Sequence, residues 1–201
     1  MLEWIVSTVS SLGYLGITLL MFLENLFPPI PSELIMPLAG FTASQGELNT
    51  ALAVVAGIVG SVLGALLWYF IGDWVGEARL KQIADQYGKW LTVSSQDIDK
   101  ASGWFERRGS FAVFVGRIIP GIRTFISVPA GISRMHLLPF LVYTTLGSAV
   151  WVTLLTYLGY SLGRNYPVVE RFIGPISAII LLSLMTAFVV WVIKRRQQRG
   201  Q

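Results

Sequence analysis

The chain is 201 residues long, 54% hydrophobic and only 13% charged, with a mean hydropathy of +0.64, a composition too apolar for a soluble domain and fitting a polytopic membrane protein. The formal net charge of +4 does not mark a nucleic-acid partner, because the basic residues flank apolar segments. The lack of cysteine excludes disulfides and thiolate chemistry, and a single histidine without an HExxH or Cys/His cluster leaves neither a metal site nor another cofactor expected.

Glu3 and Trp4 stand where a secretory leader would carry basic residues, and no small-residue cleavage site follows, so the first apolar segment is expected to be retained. Residues 4–23 suffice to cross a bilayer at about 1.5 Å per residue. The apolar run breaks at Pro28, Pro29 and Pro31, resumes at Leu34 and passes Pro37; prolines this dense cannot continue a helix. Glu24 and Glu33 flank the break, and a re-entrant hairpin over 24–42 is expected. Residues 51–72 read as a spanning helix whose Gly57, Gly60, Ser61 and Gly64 form a small-residue packing face. Trp68 and Tyr69 read as an interfacial pair, and the tryptophans as belt and packing residues.

Residues 73–109 change character. Leu80, Ile83, Tyr87, Trp90 and Leu91 keep helical spacing between charges, and Ser94 with Asp97 resembles a capping box for a second helix closing at Arg107-Arg108-Gly109. Both are expected to lie on the membrane surface.

The next apolar run carries Gly116-Arg117-Ile118-Ile119-Pro120-Gly121-Ile122-Arg123-Thr124. Two guanidiniums at membrane depth cost roughly 2.5–3.5 kcal/mol each on insertion scales, and snorkelling does not easily excuse both. Pro120 and Pro129 forbid one uninterrupted helix, and broken backbone at that depth needs burial in protein or a wet cavity. A second re-entrant hairpin over 110–135, its arginines facing a polar cavity, is therefore expected. Residues 137–163 read as a further span, with Arg134 snorkelling and His136 at the interface before it. After a short loop, 172–193 form the last span, ending in the basic tail Lys194-Arg195-Arg196.

Basic residues concentrate in 73–109 and in the tail, which places the middle segment and both termini in the cytoplasm. The acidic hairpin would then enter from outside and the basic one from inside. Pro28 to Pro37 and Pro120 to Pro129 have equal spacing, and each half goes on to Gly-x-x-x-Trp (Gly64–Trp68, Gly147–Trp151) and Gly-x-x-x-Gly (Gly72–Gly76, Gly159–Gly163). The expected architecture is an all-α helical bundle with two opposed hairpins as an inverted-topology repeat. It forms a single membrane domain: 1–76 the first repeat, 77–109 surface helices, 110–163 the second repeat, 164–201 the last helix and tail. Whether the glycine faces pack within one chain or form a homodimer stays open.

Arg117 and Arg123 supply bidentate donors suited to phosphate, and Thr124 and Ser127 hydroxyls for the same anion. Glu24 and Glu33 either pair with the arginines or, since a desolvated carboxyl resists ionisation, carry a proton that gates them. The plainer alternative is that the four charges only neutralise one another.

Phe22-Leu23-Glu24-Asn25 with Pro31-Ser32-Glu33, and Gly116-Arg117-x-x-Pro120-x-x-Arg123-Thr124 with Pro129-Ala130-Gly131, resemble the DedA family of bacterial inner-membrane proteins, within the SNARE-associated Golgi or VTT-domain superfamily. The resemblance covers roughly 10–165. It implies a multi-pass transporter moving lipids between leaflets, with the acidic and arginine pairs as functional positions, here Glu24, Glu33, Arg117 and Arg123. Some members instead carry a Gly-Asp at a longer distance from the first acid. The expected activity is a flippase for undecaprenyl phosphate, possessing no enzymatic step and driven by protons. A phospholipid flippase or scramblase, for phosphatidylethanolamine among others, and a proton-coupled exporter of ions or small molecules are the alternatives.

Overall fold

The computed structural model describes residues 2–26, 32–91, 95–120 and 122–163. Pro28, Pro29, Pro31, the Ser94 cap, the last expected span and the basic tail lie outside the described residues. Within them the chain is all helical: α1 (Leu2–Leu26), α2 (Ser32–Ser44), α3 (Thr50–Leu91), α4 (Ser95–Ile118), α5 (Ile122–Phe125), α6 (Ser127–Ile132) and α7 (Leu137–Leu162). Among the described residues three stretches, Trp4–Leu26, Thr50–Gln82 and Leu137–Ser161, are long and apolar enough to cross a membrane, but the expected crossing over 4–23 is interrupted, because α1 is two helices joined at Gly13 (φ 54°, ψ −125°).

Several expected boundaries move. The surface helix does not close at Gly109; α4 runs on to Ile118. A Cβ at Gly109 would sit 2.7 Å from Cδ1 of Phe105, so this glycine makes room for the ring below it, and the apolar residues from Phe111 continue the helix into the core. Pro37 does not break a helix but lies inside α2. The missing N–H is tolerated there because α2 is packed backbone to backbone against α7, where a Cβ at Gly159 would fall 2.5 Å from the Pro37 Cα. Pro129 occupies the first turn of α6, where no intrahelical N–H bond is lost. Of the prolines in the second apolar run, Pro120 alone stands at a reversal. The Ile119 carbonyl accepts the N–H groups of Ile122 (3.3 Å) and Arg123 (3.2 Å) there. Arg134 closes α6 in the left-handed region (φ 49°), with the Met135 N–H on the Ala130 carbonyl (3.0 Å) and its own on Gly131 (2.9 Å). That is a Schellman cap carrying an arginine where glycine is usual. Arg134 also pairs with Asp73 at 3.5 Å.

The two halves pack reciprocally. The short helix α2 lies on the long helix α7, and the short helix α6 lies on the long helix α3. Gly40 meets the Thr156 carbonyl and Gly159 meets Pro37; Gly131 meets the Tyr69 carbonyl and Gly72 meets Val128. Each long helix then reaches a positive-φ glycine one turn later, Gly76 (φ 65°) and Gly163 (φ 40°), a conformation that a residue with a Cβ adopts only at a cost. The small-residue face of α3 is used within the chain: Gly60 and Gly64 admit α1, and Gly57 admits Met36 and Val152. One apolar core joins α1, α2, the first half of α3 and the end of α7. A second joins Ala65 and Tyr69 of α3, Phe105 and Val113 of α4, Ala130 of α6 and Phe140 of α7.

Candidate functional site

Polar residues are buried where α1 runs past Met21 of the first core and α4 runs past Val113 of the second. Glu24 and Asn25 end α1, Arg117 ends α4, Arg123 and Thr124 sit on α5, and Ser127 opens α6; all are 6% exposed or less. The Pro120 reversal folds α5 and α6 back along α4, with Gly116 against Ile126, and so brings both arginines to the end of α1.

Arg123 forms an ion pair with Glu24, and its guanidinium carbon lies 5.9 Å from the centroid of the Trp151 ring. Arg117 is held differently. Its Nη1 donates to Asn25 Oδ1 (3.4 Å) and its Nη2 to Ser127 Oγ (3.1 Å). Its Nε is buried with no partner among the described residues, and no described carboxylate lies within salt-bridge distance of it. Its place in the last turn of α4 offers a partial counter-charge, the carbonyl end of the helix. Glu33 is half-buried in the first turn of α2 and lies within electrostatic reach of Glu24, without an ion pair to either arginine among the described residues. The structure thus gathers Glu24, Arg117, Arg123 and Ser127, buries Thr124 next along the chain from Arg123, and leaves Glu33 beside the group.

Asn25, Trp68 and Trp151 are the residues that the sequence reading gave no site role. The Trp68 indole donates to the Asn25 carbonyl at 2.7 Å, and the Trp151 indole to Ser32 Oγ at 3.4 Å. Both are half-buried packing residues. Tyr69, expected at an interface, is buried and donates its hydroxyl to the Met135 carbonyl. The signal was the doubled Gly-x-x-x-Trp. Gly64 admits the Asn25 Cβ and Gly147 the Arg117 Cβ, and the tryptophan one turn further on contacts the same cluster.

Two cavities of about 530 and 390 Å³ meet at Glu106, Ser133 and Arg134, beyond the α6–α7 corner, and neither is lined by Arg117 or Arg123. No group of His, Cys, Asp and Glu suited to a metal ion occurs among the described residues.

The chain matches the VTT domain over residues 30–161. It is 39% identical over 191 residues to an "alkaline phosphatase-like protein" of Lactococcus lactis strain IL1403, covering 94% of this chain and 89% of that one. It is 35% identical over 193 residues to undecaprenyl phosphate transporter A of Bacillus subtilis (96% and 93% covered). To the protein of the same name in Staphylococcus aureus it is 32% identical over 186 residues (92% of each). No solved structure matches the chain.

Proposed function

We propose, from the premise that this chain belongs to the VTT-domain (DedA) family, that it carries undecaprenyl phosphate across a bacterial cytoplasmic membrane and returns it to the inner leaflet. The observation that carries the reading is Arg117, a buried guanidinium with an open Nε–H beside a second arginine already neutralised by Glu24. Glu24 pairs with Arg123 and Glu33 stands beside the group without an ion pair to either arginine among the described residues, so Arg117 lacks a direct counter-ion in a place where an unpaired ion is costly. A phosphate satisfies it with charge-assisted bonds.

In this reading the headgroup takes the Nε edge of Arg117 and competes with Glu24 for Arg123. Glu24, released, accepts a proton. When that proton leaves toward the other side, the carboxylate reclaims Arg123 and expels the phosphate. Thr124 and Ser127 donate hydroxyls to the headgroup, and Glu33 passes the proton. The polyprenyl tail stays in lipid, so only the headgroup needs a polar path. The residues before α2 and the reversal at Pro120 serve as the breaks of two re-entrant hairpins, over 24–42 and 110–135. These enter from opposite faces of the membrane. The reciprocal packing of α2 on α7 and α6 on α3 supports this arrangement.

The test is a leaflet-accessibility assay on the purified chain in liposomes. Wild type should speed transbilayer movement of a polyprenyl phosphate, Arg117→Ala and Arg123→Ala should abolish it, and no inorganic phosphate should appear. Movement at wild-type rate in Arg117→Ala refutes the site. Equal movement of phosphatidylethanolamine points to a general scramblase, and phosphate release to a hydrolase.

A further inference from the structure

Asn25 is the residue of the cluster that the transport scheme leaves unused, and it is held from four sides. Its Cβ is wedged at the distance of contact against Gly64, where an added Cβ would lie 2.5 Å away. Its backbone carbonyl, one of the α1 terminal groups without an intrahelical partner, accepts the Trp68 indole N–H at 2.7 Å. Its Nδ2 donates to the Met21 carbonyl at 2.9 Å and faces Glu24 Oε2 at 3.4 Å. With the nitrogen committed on that side, Oδ1 is turned toward Arg117 Nη1.

We infer that Asn25 is a positioning residue that orients Arg117 without neutralising it. The chemistry needs an amide. An apolar side chain would leave the guanidinium unsupported on this face. A carboxylate of the same shape would form an ion pair, balance the cluster internally, and make the phosphate compete for a charge already taken. A neutral acceptor fixes the direction of the Nε edge and leaves the full positive charge for the ligand. Trp68 and Gly64 belong to the device, because they set where the amide stands.

This inference rests on Arg117 being the phosphate ligand. The probe is farnesyl phosphate, titrated by tryptophan fluorescence against the full chain in lipid nanodiscs. Asn25→Asp should weaken binding by roughly tenfold to a hundredfold, as loss of a charged hydrogen bond implies, and at least as much as Asn25→Ala. A purely structural asparagine gives a different pattern: both variants melt lower, because the Nδ2 bond to Met21 is lost, yet both bind within about twofold of wild type. Asn25→Asp binding within about twofold of wild type, while Arg117→Ala does not bind, overturns the inference and leaves the site standing. Arg117→Ala binding like wild type removes both. If Asn25→Asp does not fold, Trp68→Phe decides: weakened binding is expected, and unchanged affinity overturns the proposal.

Discussion

If Arg117 is kept for a ligand rather than for the fold, the buried charges must respond unequally to removal. Glu24 and Arg123 are each 7% exposed in their side chains and paired, and Arg117 is 2% exposed with no carboxylate of its own. Glu24→Gln leaves two guanidiniums facing each other, with Glu33 half-buried on the neighbouring helix. Stranding one partner of a buried pair costs about 3–5 kcal/mol. At about 2–4 °C per kcal/mol for a chain of this size, the melting temperature falls by roughly 6–20 °C. Arg117→Gln instead removes the charge that lacks a direct counter-ion. It forfeits the contacts to Asn25 and Ser127 but also the desolvation of an uncompensated ion, and should land within about 1 kcal/mol of wild type or above it. Glu24→Gln/Arg123→Gln should recover most of what Glu24→Gln loses, the signature of a coupled pair. Thermal unfolding of the four proteins in one detergent reads all of this. An Arg117→Gln variant that melts as low as Glu24→Gln would mean that the arginine is a structural counter-ion, and the anion site would lose its warrant.

Gly40→Ala and Gly131→Ala should each cost about 1–3 kcal/mol, since an added Cβ meets the backbone of Thr156 or Tyr69. Gly103→Ala, open on α4 with nothing near, should gain up to about 1 kcal/mol; equal effects at all three in thermal unfolding would refute the reciprocal crossings. Trp151→Leu removes both the ring near Arg123 and the bond to Ser32, so transport of polyprenyl phosphate in liposomes should fall at least about tenfold; full activity would remove Trp151 from the site. The cysteine-free chain suits topology mapping. In intact cells an impermeant maleimide should label Gln45→Cys and spare Trp104→Cys, and the opposite pattern would invert the proposed orientation.

The spans in α3 and α7 were legible because length and apolarity report directly on the bilayer, and the Pro120 reversal because a missing N–H cannot be hidden there. Arg117 and Arg123 stood out by their cost. One boundary moved for a local reason and one for a tertiary reason. Gly109 looks like a stop after two arginines, yet it is a notch for Phe105 one turn back on the same helix, and Pro37 looks like a break until α7 is laid against it. Asn25 was read as part of a motif and given no role, because its partner Trp68 is another helix away and donates to a main-chain carbonyl, and the Gly-x-x-x-Trp spacing does not say which residue of α1 it receives.

The doubled Gly-x-x-x-Trp shows why a weak repeat can still carry a strong constraint. In α3 the glycine admits the residue next to Glu24, and in α7 the glycine admits Arg117, so each long helix shelters a polar side chain presented by another helix. The acid and the cations come from different halves of the chain, and neither half can satisfy its own charge alone. Glu24 on α1 needs Arg123 from α5, and Arg117 on α4 needs Asn25 from α1. Any movement of one half against the other must therefore first dissolve the Glu24–Arg123 pair. In the proposed transport scheme a ligand that replaces Glu24 on Arg123 supplies the compensation for that step, and binding of an anion and separation of the halves would then be one event in energetic terms.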